Sequence, residues 1–257
     1  GRWLSETDIE ISEATLRARV IPLQTWLDDV EVSAGTMILI RDLTELRDRD
    51  RQLVTKDATI REIHHRVKNN LQTVAALLRL QSRRMKNPDA KEALRQAMGR
   101  VSAIAVVHEI LSQNFEEQVA FDEVADRILH MVGDVAASSG SVAARREGTF
   151  GSVPAETATA LSLATTELCQ NAIEHSLDSS SGNVIVRPYR TEDSLVVDIV
   201  NDGSLLPEGF SLDQHRSSLG LSIVTTLVQD LGGTFTLENN PDGVGTCAKL
   251  MIPLDRL

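Results

Sequence analysis

Apolar and polar residues along this chain follow two different periods, and the change falls near Leu43. Before it, Ala14-Thr15-Leu16-Arg17-Ala18-Arg19-Val20 alternates apolar and polar, and Thr36-Met37-Ile38-Leu39-Ile40 is rich in β-formers. Both patterns predict strands, with Trp26-Leu27-Asp28-Asp29-Val30 between them. Two or three strands cannot bury a core alone, so residues 1–45 read as the end of a domain whose front lies outside the sequence.

After Leu43 the spacing becomes three and four. Leu43, Leu46, Leu53, Ile60, Val67, Leu71, Val74 and Leu78 fall in step, with Asp50, Asp57 and His64 filling the gaps. That is a helical seam of the coiled-coil type, and polar positions within such a seam hold register or permit switching. Pro88 cannot continue the helix, so Lys86–Asp89 ends it. A second helix carries Leu94, Ala97, Val101, Ile104, His108 and Leu111 on the same spacing. Two antiparallel helices leave one apolar stripe uncovered, and a dimer forming a four-helix bundle covers it.

Residues 118–257 mix the two periods. Helices are predicted near Phe121–Ala137, over Ala155–Ser176 behind the helix-starting Pro154, and at Leu219–Leu231. Strands are predicted near Val142–Thr149, Val184–Tyr189, Leu195–Val200, Thr234–Glu238 and Thr246–Ile252. The order predicts an α+β sandwich with helices on one face of a mixed sheet.

Composition narrows the function. The formal net charge is −11 at pH 7, which argues against nucleic acid and against an anionic membrane surface as partners. The two cysteines, Cys169 and Cys247, have no metal-ligand spacing and suit a reducing cytoplasm. No run approaches the roughly 18 apolar residues of a membrane helix.

The chemistry concentrates in two places. In Glu62-Ile63-His64-His65-Arg66-Val67-Lys68-Asn69, His64 falls on the seam and points inward. His65 lies about 100° further round the helix and faces outward. Imidazole is a nucleophile at neutral pH, so an outward His65 can meet a phosphoryl donor. Glu62 and Asn69 lie about one turn away, and Glu62 can accept the imidazole proton. His108, on the second helix's seam, reads as structural. Further on, Glu167, Asn171 and His175 share one helix face, where a carboxylate and an amide can hold Mg²⁺ with help from phosphates and water. Three glycine-bearing loops follow: Asn201-Asp202-Gly203, Ser217-Ser218-Leu219-Gly220-Leu221 and Asp242-Gly243-Val244-Gly245-Thr246. The first can bind an adenine amino group, and the second opens a helix whose N–H groups attract phosphate. Each loop alone is a weak signal; their order behind the Glu-Asn helix is a strong one.

Residues 58–114 resemble the dimerisation and phosphoacceptor domain of the HisKA_2 branch of histidine kinases, near the HWE group. Residues 118–257 resemble a GHKL-type (Bergerat) ATP-binding domain. The resemblance implies His65 as phosphoacceptor, Glu167 and Asn171 as the N-box residues with Asn171 on Mg²⁺, and ATP as substrate. It places Asn201, Asp202 and Gly203 at adenine, Phe210 in the aromatic box, and Gly220 with its neighbours Ser218, Leu219 and Leu221 in the second glycine box. Gly243, Gly245 and Thr246 fall in the third, and His175 closes the N-box helix. Residues 1–45 resemble the end of a PAS sensor domain, with Asp42-Leu43-Thr44 as its exit signature and residues 46–57 as a coiled-coil linker. Kinases of this kind work as homodimers, here through residues 43–114. They signal to a response regulator, in the soluble actinobacterial cases one with an RNA-binding antiterminator (ANTAR) output. The chain departs from the family at Asn201, where Asp is usual, and at Leu205, where Gly is usual. Two other readings stay open on the residues alone: a GHKL-type protein-serine kinase, and a dimeric binding module that no longer uses ATP.

Overall fold

The computed structural model describes residues 5–11, 14–28, 30–113, 118–137, 142–176, 182–212, 219–241 and 243–254. It forms two compact units, Gly1–Ile60 and Arg61–Leu257.

In the first unit β1 (Ser5–Ile11), β2 (Ala14–Leu27) and β3 (Val30–Asp42) form an antiparallel sheet in that order. The β2–β3 hairpin turns at Asp28, whose φ of 47° lies in the left-handed region that Asp tolerates. The alternation expected for β2 is met, and its Arg17 and Arg19 pair with Asp8 and Glu6 on β1 at 2.7 and 3.2 Å. Ile9, Ile11, Trp26, Ile38 and Ile40 stay exposed, as expected of a sheet with no second layer of its own. Helix α1 (Thr44–Arg84) then begins. The Asp42 carboxylate accepts from the Thr44 N–H at 2.9 Å and from its hydroxyl at 2.6 Å, which caps the helix and holds Asp42 below the usual carboxylate range. The same hydroxyl accepts from the N–H of Thr15, tying the cap to β2.

In the second unit α1 pairs with α2 (Pro88–Gln113). Pro88 does not only end the first helix: it is the first residue of the second, where its missing N–H costs nothing. Asn87 caps α2 by accepting from the Asp89 N–H at 2.8 Å, so the break falls on Met85–Asn87. On α1 from Arg61 onward the half-buried positions are Arg61, His64, Val67, Lys68, Leu71, Ala75, Leu78 and Ser82, which include His64, Val67, Leu71 and Leu78 of the predicted seam. Leu46, Ile60 and Val74 depart from the predicted seam and are exposed, as are Ile63, Leu77 and Leu80.

The remaining elements are β4 (Gln118–Ala120), α3 (Phe121–Ala137), β5 (Val142–Arg146), β6 (Ser152–Pro154), α4 (Ala155–Ser176), β7 (Gly182–Arg190), β8 (Ser194–Asn201), α5 (Leu219–Asp230), β9 (Thr234–Asn239) and β10 (Thr246–Pro253). Five strands make a mixed sheet, β5-β7-β8-β10-β9, in which only β5 and β7 run parallel. The α+β expectation therefore holds. The short β4–β6 pair was not expected; Pro154 ends β6 opposite Gln118 and stands directly before α4, which has the predicted bounds. One core fills the space under the helices. It joins Val184, Val197, Ile199 and Leu250 of the sheet to Leu161 and Leu168 of α4, with Phe121 edge-on to Phe150. Val107, Ile110 and Leu111 of α2 enter the same core, so the end of the hairpin is anchored on the sheet domain.

Candidate active site

The two histidines of α1 have opposite surroundings. His64 turns toward α2, where its Nδ1 lies 3.0 Å from Nδ1 of His108. One imidazole must donate and the other accept, so the pair shares a proton. Burial holds both rings below the ordinary imidazole value, and for His108 the nearby His64 adds to it. Lys68 and Glu109 face each other beside the pair at 3.9 Å. His65 is exposed, as is Asn69. Glu62 is not bonded to His65: its carboxylate accepts from Arg66 Nε at 2.7 Å, one turn along the same helix. That is the exposed i, i+4 pair expected of a solvent-facing helix surface.

The second region is a cleft of about 640 Å³ between α4, α5 and the open end of the sheet. Glu167, Asn171 and His175 line it, as do Asn201, Phe210, Leu219, Gly220, Leu221 and Thr246. Gly220 sits so close to α4 that a β-carbon there would lie 2.7 Å from the Glu167 carboxylate and 3.9 Å from the Asn171 amide. The start of α5 thus meets the polar face of α4 without a side chain between them. Asn201 is 2% exposed. Its Oδ1 accepts from the Thr246 N–H at 2.7 Å and hydroxyl at 3.0 Å, and its Nδ2 donates to the Ala172 carbonyl at 3.2 Å. These bonds fix which way the amide points.

Asp202, Gly203, Gly243 and Gly245 do not line the cleft. The Asp202 carboxylate turns away to Asn183, accepting from its N–H and its amide at 2.7 Å each. It cannot take over the adenine contact without giving up both bonds. Gly203 and Gly245 act through backbone closeness instead. A β-carbon on Gly203 would meet the His175 carbonyl at 2.3 Å, and one on Gly245, whose φ is 93°, would meet the Asn201 carbonyl at 2.0 Å. Ser218 lies outside the described residues. Leu205, in place of the usual glycine, is 59% exposed on the rim, where Leu206, Pro207 and Phe210 continue the apolar wall. Ile199, Leu237 and Ala248 form the floor, and Gln96 of α2 closes one side. The sequence reading named none of these four. The floor residues carry only the period-2 signal of strand core, and Gln96 arrives from seventy-odd residues upstream.

The volume and the mixed lining fit an adenine nucleotide. Among the described residues no three His, Cys, Asp or Glu side chains converge on a metal position. A cation here would rely on phosphate oxygens and water beside Asn171 and Glu167, which suits Mg²⁺. In this structure both Glu167 oxygens are taken: Arg100 of α2 donates Nε to one at 2.7 Å and a terminal nitrogen to the other at 2.9 Å. Burial pushes the Cys169 thiol up to about 12, so this cysteine behind the cleft is inert.

Two family models match the chain. The HisKA_2 model, described as histidine kinase, matches residues 62–136. That for histidine kinase-, DNA gyrase B- and HSP90-like ATPases matches residues 156–256. The chain belongs to the histidine kinase family, in its HisKA_2 branch. Among curated proteins it is 47% identical over 252 residues to the sensor histidine kinase PdtaS of Mycobacterium tuberculosis, covering 97% of this chain and 49% of that protein. It is 27% identical over 213 residues to the blue-light-activated histidine kinase 2 of Erythrobacter litoralis, covering 78% of this chain and 58% of the relative. The chain spans about half the length of the curated relatives it matches. Among solved structures, the histidine kinase domain of an Erythrobacter litoralis blue-light activated histidine kinase superposes with a TM-score of 0.57 at 26% identity. That match covers 81% of this chain and 95% of the other. Among the described residues no helix is long and apolar enough to cross a membrane.

Proposed function

We propose that this chain is the kinase core of a two-component sensor, which phosphorylates itself on His65 and passes the phosphoryl group to an aspartate of a response regulator. One observation carries the reading: a single unit combines an exposed histidine on α1 with a nucleotide-sized cleft walled by the Glu167–His175 face of α4. ATP seats its adenine toward Asn201 and Thr246 and its phosphates toward the start of α5, where free N–H groups and the helix dipole favour anions. Both lone pairs of the Asn201 carbonyl already receive Thr246, so an adenine amino group takes the place of the rotatable Thr246 hydroxyl. Asn171 and Glu167 would hold Mg²⁺, which neutralises triphosphate charge when bound. An imidazole nitrogen of His65 attacks the γ-phosphorus in line, the N–P bond forms, the β–γ bridging bond breaks and ADP leaves. Glu62 receives the imidazole proton after exchanging its bond with Arg66. Most of the rate comes from positioning and charge stabilisation.

The exposed Ile63, Val74, Leu77 and Leu80 support a homodimer through residues 43–114, closed as a four-helix bundle. The open three-stranded sheet and its Asp42–Thr44 exit support residues 1–45 as the C-terminal part of a PAS domain. Residues 46–57 then form the linker, 58–114 the dimerisation and phosphotransfer domain, and 118–257 the ATP-binding domain. The family resemblance adds a cytoplasmic setting and a response regulator of the antiterminator type.

The test is incubation with γ-labelled ATP and Mg²⁺, followed by acid and by alkali. Acid-labile, alkali-stable label supports phosphohistidine. Acid-stable label would move the chain to the serine-kinase class, and absence of both label and nucleotide binding would make it a binding module.

A further inference from the structure

Helix α2 reaches the nucleotide cleft along one face. Arg95 and Gly99 lie one turn apart on that helix, and the side chain of Arg100 reaches the same neighbour, α4. Arg95 bonds Glu174, Gly99 abuts Gln170, and Arg100 grips Glu167. Among the described residues the Arg100 pair is the most enclosed ion pair, with side chains 17% and 3% exposed. A β-carbon on Gly99 would lie 2.3 Å from the Gln170 amide nitrogen, so a side chain there would have to push the Gln170 amide aside. The amide oxygen of Gln170 is buried with no hydrogen-bond partner among the described residues, a cost that this docking carries.

The consequence is electrostatic. A guanidinium that bonds both oxygens of Glu167 places its positive charge where a divalent cation would have to come. While Arg100 holds both oxygens, a hydrated cation can reach Glu167 only against that positive charge. We propose that α2 is a latch on the cleft: Arg100 withholds Glu167 until Mg²⁺ and nucleotide displace it, so nucleotide loading and release of α2 are one linked step. The latch rests on the reading of Glu167 as a cleft residue given above. A ligand that binds only the released state is weakened by whatever holds the latched one. Because α2 also carries the hairpin, any signal that moves the hairpin acts on the cleft through this contact.

The test is titration of the full chain, of Arg100→Gln and of Gly99→Leu with a fluorescent ATP analogue. Each is run with Mg²⁺ and again with excess chelator, and thermal melts report the fold of each chain. Arg100→Gln removes the gripping charge, and Gly99→Leu puts a bulky side chain where it must displace the Gln170 amide, with a good helix former in place of glycine. In Mg²⁺ the affinity should rise on the order of five- to tenfold in both variants, with a smaller rise in chelator. Equal or weaker binding in the folded variants overturns the latch and leaves the cleft reading standing. No binding to any of the three chains overturns the cleft reading and the latch with it. Where Gly99→Leu fails to melt cooperatively, Arg100→Gln alone decides.

Discussion

His64 and His65 differ by one residue and by nearly everything else. The seam arithmetic placed one inward and one outward, and the structure puts His64 on His108 and leaves His65 in solvent. A shared proton makes the His64–His108 contact pH-sensitive. Both rings are held below the ordinary imidazole value of 6.5, so the folded chain binds fewer protons there than the unfolded chain. The contact's stabilisation is complete above that value and is lost as pH falls below it. Glu109 opposes this loss, and Lys68 beside it adds to the repulsion. The expected outcome is a melting temperature that drops between about pH 7.5 and pH 5.5, with a smaller drop in His108→Leu. Parallel pH profiles for the two chains would show that the pair does not carry the effect. What the residue pattern could not disclose was contact across the fold. His108 and Arg100 both sit on an amphipathic helix, and nothing in their spacing names His64 or Glu167 as partners.

At the scale of elements, the long helices and the five strands of the mixed sheet were legible because each runs long enough to show its period. The β4–β6 pair was not, since three-residue strands have no period to read. Pro88 was read as a stop and is a start, because a proline after a capping Asn serves both ends of a short loop. The glycine loops were legible as a set, yet their work divides. Gly220 gives close approach at the cleft, whereas Gly203 and Gly245 let neighbouring backbones touch. Gly245→Ala should therefore destabilise the sheet domain by about 1–3 kcal/mol, because it adds a strained φ to a contact with no room. Urea unfolding measures this, and a midpoint unchanged from wild type would contradict it. The cleft floor stayed hidden for the opposite reason: Ile199, Leu237 and Ala248 look like any inward strand residue until the folded sheet brings them against the cleft.

At the scale of the whole molecule, a helix that presents His65 and a cleft that fits a nucleotide belong to one folded unit, with α2 packed into both. The central claim is that His65 receives the γ-phosphoryl group. Autophosphorylation by wild type, His64→Gln and His65→Gln, with γ-labelled ATP and Mg²⁺ and with the label mapped by peptide, tests it most directly. The account predicts label on His65 in wild type, label retained at reduced yield in His64→Gln, and none in His65→Gln. Label that survives in His65→Gln and disappears in His64→Gln would contradict it, because the acceptor would then be the imidazole that faces α2.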